Sequence, residues 1–109
     1  MLHFGRVPVT TQNDKVLDVL VRLGLTELQA KTYLTIARLE KAEVKAISKL
    51  SSIARQDIYR IIPALEKLGL VEEIIATPKL YKALPLSEGT RKLFQQRTSE
   101  HISLKNSRP

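Results

Sequence analysis

Arg55, Gln56, Asp57, Tyr59 and Arg60 crowd hydrogen-bonding and charged side chains into less than two helical turns. An arginine fork matches O6 and N7 of guanine, and a glutamine amide pairs with N6 and N7 of adenine, so Arg55 and Gln56 are the leading base readers. Asp57 can accept from cytosine N4, but at the third position of a helix it also complements the helix dipole, and the second role is the preferred one. Arg60 can reach a base or a phosphate. Tyr59 offers its hydroxyl to a phosphate or packs on a neighbouring hairpin, and both readings stay open. Lys45, Lys49, Ser51 and Ser52 precede this cluster and suit backbone phosphates, contacts that position a protein without reading sequence. Thr77, Lys79 and Lys82 follow it and suit phosphate or minor-groove contact. Any one of these lysines can be plain surface charge; their accumulation on one side gives them meaning.

The elements that must hold these residues are legible from periodicity. Val44, Ile47 and Leu50 recur at helical spacing, Ser51-Ser52-Ile53 interrupts, and Ile58, Ile61, Ile62, Leu65 and Leu68 resume it. This predicts a helix over 44–51, a tight turn and a second helix over 55–68. Pro63 lies inside the second helix, where its ring crowds the carbonyl of Tyr59. A kink is expected there, separating a DNA-facing half from a core-facing half. Gly69 suits the helix end. Two apolar runs, 70–75 and 80–84, flank a turn around Thr77-Pro78 and predict a hairpin. Glu72 and Glu73 would repel phosphates, so only the tip and the return strand are expected to meet a polyanion.

Upstream, Val16, Leu17, Leu20 and Leu23 form one stripe of a helix over 14–23, capped by Thr11 or Asn13 and ended by Gly24. Thr26 and Gln29 fit a capping box for the next helix, which runs to Leu39 and is expected to bury Leu28, Tyr33, Leu34 and Ile36 or Ala37. Downstream, Ser87 is expected to cap a last helix over 88–104, whose sparse stripe of Leu93, Phe94, Ile102 and Leu104 fits packing on the domain or on a second subunit. The division expected is a flexible arm over 1–13, from which Phe4 can dock on a neighbour, then a domain over 14–85, then a C-terminal helix and frayed tail over 86–109. The fold class is mostly α with a small β-hairpin wing: a winged helix-turn-helix with extra N-terminal and C-terminal helices.

Composition narrows the function. The 109 residues suffice for one modest core. A formal net charge of +7 makes polyanions plausible partners, but the excess is spread along the chain without a polybasic tail. There is no cysteine, and His3 and His101 stand in opposite tails, so no thiolate or histidine metal site and no cofactor is expected. Neither a transmembrane run nor a signal segment is visible, which points to a cytoplasmic protein without a membrane partner. No Gly-rich phosphate loop and no nucleophile paired with a base occurs. Catalysis is not expected.

The stretch Leu23-Gly24-Leu25-Thr26-Glu27-Leu28-Gln29-Ala30-Lys31-Thr32-Tyr33-Leu34 resembles the opening of the TrmB-like transcriptional regulators. Arg55-Gln56-Asp57-Ile58-Tyr59-Arg60 is similar to that family's recognition helix, and Leu65-Glu66-Lys67-Leu68-Gly69-Leu70-Val71-Glu72 to the start of its wing. Lys79-Leu80-Tyr81-Lys82-Ala83-Leu84-Pro85 resembles the wing's return strand. The resemblance covers roughly residues 14–88. It implies sequence-specific binding of double-stranded DNA, usually as a homodimer, to repress or activate transcription, mostly in archaeal cells. Larger members carry a sugar-sensing C-terminal domain; with 109 residues, such a domain and a small-molecule effector are not expected. Three positions depart from the family pattern: Ala54 where a Pro or a Ser/Thr cap is common, Glu40 in place of a Gly, and Ser52 in place of a turn Gly. The competing expectation is a winged-helix protein–protein interaction module without direct DNA binding, which should present an apolar patch on the second helix of the pair. The charged face of that helix favours DNA, through a helix in the major groove and a wing on the backbone.

Overall fold

The computed structural model describes residues 15–106, with side chains described through residue 98. The arm over 1–13, the caps Thr11 and Asn13, and the side chains of Ile102 and Leu104 lie outside these. Helix α1 covers residues 15–22 and closes at Gly24, whose positive φ lets Leu25 N–H return to the carbonyl of Leu20 at 3.2 Å. Helix α2, Glu27–Leu39, opens with the expected capping box. Gln29 N–H donates to the Thr26 hydroxyl at 3.1 Å, and Thr26 N–H donates to the Gln29 side chain at 3.0 Å.

Tyr33, Ala30 and Ile36 of α2 are fully buried at the centre of the core. Leu28 is not: it is 47% exposed. It shares a face with Thr32 and Thr35 but sits in the first turn, where it lines a shallow groove with Asp57, Arg60 and Ile61 of a neighbouring helix. Thr32 and Thr35 are buried instead, their hydroxyls each donating 2.8 Å back along the helix to the carbonyls of Leu28 and Lys31.

Strand β1, Lys41–Ala42, was not visible in the sequence, because two residues cannot display an alternation. Helix α3, Val44–Ser51, and helix α4, Arg55–Lys67, form the helix-turn-helix. Leu50 proves 51% exposed. At about 100° per residue, the position seven beyond Val44 nearly repeats its direction, so Ser51 occupies the core stripe and Leu50 falls outside it. Helix α4 continues through Pro63, and Ile58, Ile62 and Leu65 are buried on both sides of that residue. One core-facing stripe therefore runs the whole helix, rather than a DNA-facing half followed by a core-facing half.

Gly69, at φ 77°, ends α4 with Leu70 N–H bonded to the carbonyl of Leu65 at 3.0 Å. The hairpin is β2, Val71–Ile74, and β3, Leu80–Ala83, in an antiparallel sheet of order β1-β3-β2. Helix α5, Leu86–Asn106, starts two residues earlier than expected. The carbonyl of Pro85 accepts from Glu88 and Gly89 N–H at 3.0 and 2.9 Å, so Ser87 lies inside the first turn and caps nothing. Leu93 enters the core beside Leu23, Leu25 and Leu68, while Phe94 stays exposed.

Candidate nucleic-acid interface

Two local hydrogen bonds set the turn that aims α4. Ser48 Oγ donates to the carbonyl of Ile53 at 2.5 Å, and Ile53 N–H donates to Ser51 Oγ at 3.2 Å. Between them Ser52 adopts the left-handed conformation (φ 63°), the geometry that a glycine supplies most easily, and its N–H closes α3 on the carbonyl of Ser48. Ser51 is thereby lost as a phosphate contact: it is 2% exposed and its oxygen is committed to the turn. Ser52 remains exposed.

The first two turns of α4 leave Arg55, Gln56, Tyr59 and Arg60 at the surface, with Tyr59 60% exposed. Ala54 provides no side-chain cap. A groove of about 360 Å³ runs between the start of α3, the start of α4 and the wing, lined by Glu43, Val44, Lys45, Arg55, Tyr59, Pro78, Lys79 and Tyr81. It joins four of the residues singled out in the sequence: Lys45, Arg55, Tyr59 and Lys79. They come from three separate elements and supply three cations against the single carboxylate of Glu43. Tyr59 therefore faces the wing without being covered by it. Tyr81 forms the groove's inner wall, and burial pushes its phenol above the ordinary range.

The remaining candidates divide. Gln56, Arg60, Lys49 and Thr77 are exposed but do not line the groove. Asp57 sits in the first turn of α4 and forms an ion pair with Arg60, so it serves the dipole and also neutralises a candidate contact. Lys79 pairs with Glu73 at 3.5 Å across the hairpin. Lys82 goes elsewhere. In register with Lys41 of β1 and Glu72 of β2, it occupies the other face of the sheet from Tyr81. There it lines a second groove of about 640 Å³ together with Glu40, Glu72 and Glu88. Sequence reading missed Glu43 and Tyr81. Tyr81 could have been found from the alternation of β3, since it and Ala83 are its two buried positions.

Among the described residues no cluster of His, Cys, Asp or Glu is placed to hold a metal ion, and no helix is long and apolar enough to cross a membrane. The groove gathers surface cations and a tyrosine hydroxyl, and the Gln56 amide is exposed outside it. That is equipment for recognition.

A family model described as sugar-specific transcriptional regulator TrmB matches residues 20–87. The chain belongs to the TrmB family. The chain is 31% identical over 68 residues to the HTH-type sugar sensing transcriptional regulator TrmBL1 of Pyrococcus furiosus, a match covering 62% of this chain and 20% of that relative. The chain thus spans about a fifth of the length of this curated relative. Among solved structures, TrmBL2, described as an archaeal chromatin protein with a novel mode of DNA binding, superposes with a TM-score of 0.68 at 17% identity, over 86% of this chain and 39% of TrmBL2. The oxidised form of MarR from E. coli superposes with a TM-score of 0.57 at 22% identity, over 93% of this chain and 81% of MarR. The structural likenesses establish a winged-helix fold, mostly α with a β wing, and the family model and TrmBL1 are described as transcriptional regulators rather than enzymes.

Proposed function

We propose that this TrmB-family chain binds double-stranded DNA sequence-specifically to regulate transcription, placing α4 in the major groove and the wing on the flanking backbone. The observation that carries the reading is the convergence of Lys45, Arg55, Tyr59 and Lys79 on one groove between α3, α4 and the wing. Arg55 and Gln56 read base edges. Lys45, Lys49, Ser52, Arg60 and the Tyr59 hydroxyl hold phosphates, and Thr77 and Lys79 extend that grip to the wing. An interaction module for a protein partner would present an apolar patch on α4, whereas the exposed first turn of this helix is charged and polar.

A homodimer addressing half-sites about one helical turn apart completes the reading. Val19 and Val21 on α1 and Phe94 on α5 are exposed apolar side chains on the helices that flank the winged domain, and they support a subunit contact there. Such a regulator acts in the cytoplasm, where the DNA of a prokaryotic cell lies.

The test is fluorescence anisotropy with random-sequence duplex across a salt series, for wild type, Arg55→Ala and Lys79→Ala. Affinity should fall with a log–log slope near −0.9 per phosphate contacted. Lys79→Ala should weaken all sequences alike, whereas Arg55→Ala should blur preference at one base position in a selection from random duplexes and cost about 1–3 kcal/mol on the preferred site. Absence of binding at low salt refutes the proposal, and a monomer at high micromolar concentration in sedimentation refutes the dimer.

A further inference from the structure

The tip of the wing carries an apolar side chain that neither the turn nor the core requires. Ile75, one residue beyond the end of β2, is 95% exposed. Hairpin tips favour Gly, Asn, Asp and Ser, which satisfy backbone groups locally or adopt positive φ, and a β-branched isoleucine does neither. Its neighbours are of the same kind. Ala76 and Pro78 are exposed, and Ile74 and Leu80, paired across the mouth of the loop, are only half-buried. From Ile74 to Leu80 the single charge is Lys79.

Position gives this tip a direction. Pro78 and Lys79 line the groove that also holds Lys45, Arg55 and Tyr59, so the apolar tip projects beside the cationic face and not behind it. An apolar end flanked by a cation suits a slot with anionic walls and a floor that tolerates apolar contact. The minor groove of DNA is such a slot, about 6 Å wide with phosphates along both edges, and inserted Ile, Leu or Pro side chains are a recurrent means of opening it.

We infer that Ile75 is a specificity-determining wedge: with α4 in the major groove, the wing tip enters the adjacent minor groove, Ile75 contacts the base-pair floor, and Lys79 exchanges Glu73 for a wall phosphate. The inference rests on the DNA-binding reading above and adds a base preference at positions α4 does not touch. In the minor groove the exocyclic amine of guanine protrudes from the floor of every G·C pair and obstructs an apolar side chain, whereas A·T pairs present no such group. The wing therefore selects flanking sequence that lacks this amine.

Replacing guanine with inosine removes the amine and leaves the major-groove O6 and N7 in place, so the two grooves can be tested separately. Wild-type protein and Ile75→Ser are titrated against short alternating dI·dC and dG·dC duplexes. Because Ile75 is almost wholly exposed, the serine variant should keep the fold, and an unchanged circular dichroism spectrum verifies this. Wild type should bind dI·dC several-fold more tightly, and Ile75→Ser should bind both equally. Equal wild-type binding to the two duplexes overturns the wedge while leaving the DNA reading intact. So does a preference that persists in Ile75→Ser. A sedimentation shift on Ile75→Ser without a change in the duplex preference assigns the tip to a second copy and also overturns it. Failure to bind either duplex refutes the DNA reading, and the wedge falls with it.

Discussion

The hydroxyl of Tyr33 occupies the space into which a β-carbon on Gly89 would project, and it donates from there to the carbonyl of Leu84 at 2.7 Å. This one contact ties the centre of α2 to the end of β3 and the first turn of α5. Its ring carbon Cζ lies 2.7 Å from the same ideal β-carbon, so bending the hydroxyl aside would not relieve an added methyl. Alanine in place of glycine gains up to about 1 kcal/mol in a helix interior. Here the overlap outweighs that gain, because Tyr33 is fully buried and cannot step back without breaking its bond to Leu84. Gly89→Ala should therefore destabilise the domain by about 1–3 kcal/mol in urea unfolding, the range for an overfilled core. Tyr33→Phe/Gly89→Ala should lose less than the sum of the single changes, since removing the hydroxyl vacates part of the space.

The same tyrosine makes stability depend on alkaline pH. Burial, reinforced by the nearby Glu88 carboxylate, raises its pKa from 10.0 to about 12. The folded state thus holds the phenolic proton more tightly than the unfolded chain does. The contribution is complete below pH 10 and declines as pH climbs toward 12, where the unfolded chain ionises first. The urea midpoint should fall over this window, and Tyr33→Phe should flatten that fall. An equally steep decline in Tyr33→Phe would assign the effect to other groups, Tyr81 first among them, because burial raises its pKa too.

Ser51 and Ser52 are neighbours in sequence with opposite roles in the turn. Removing the buried hydroxyl by Ser51→Ala leaves the N–H of Ile53 without its partner and should cost about 1–2 kcal/mol. Ser52 is in the left-handed conformation, which is strained by roughly 1–2 kcal/mol for a residue bearing a β-carbon, so Ser52→Gly should be neutral or stabilising despite the extra freedom it gives the unfolded chain. Thermal melts of the two variants would separate them. Equal destabilisation by both would contradict this account of the turn.

These contrasts mark where the sequence was informative. The capping box of Thr26 and Gln29 and the glycine stop at Gly69 were legible because each is settled within four or five residues. The helix-turn-helix and wing were legible because apolar spacing changes its period there. Ser51 reads as a surface contact while Leu50 fills the expected apolar stripe, and only the phase of the finished helix shows otherwise. Lys82 and Lys79 are both basic and close in sequence, which suggests one shared role. Lys79 lies in the loop before β3, whereas Lys82 is a strand residue next to Tyr81. Successive strand residues face opposite sides, so with Tyr81 on the α4 groove, Lys82, paired with Lys41 and Glu72, lies on the other face. The Tyr33–Gly89 contact spans α2 and α5, and no local pattern announces it.

Asp57 should pull stability and DNA binding in opposite directions. In the first turn of α4 its carboxylate favours the helix dipole, a gain of about 0.3–1 kcal/mol, and it pairs with Arg60 in a largely exposed contact of comparable or smaller worth. In the proposed complex the same carboxylate faces phosphates and holds the guanidinium that would meet them. Asp57→Asn keeps the side chain's shape, removes the charge and frees Arg60. Stability should drop by up to about 2 kcal/mol, the two contributions together, while affinity for random-sequence duplex at low salt should rise. The salt dependence should steepen by a slope of about 0.9 if the freed arginine gains a phosphate. Anisotropy titrations of Asp57→Asn, Arg60→Ala and the double variant decide the matter. The gain from Asp57→Asn should vanish when Arg60 is absent. A gain that survives Arg60→Ala would mean that Asp57 acts by direct repulsion of the phosphates, and no gain at all would place Arg60 outside the DNA contact.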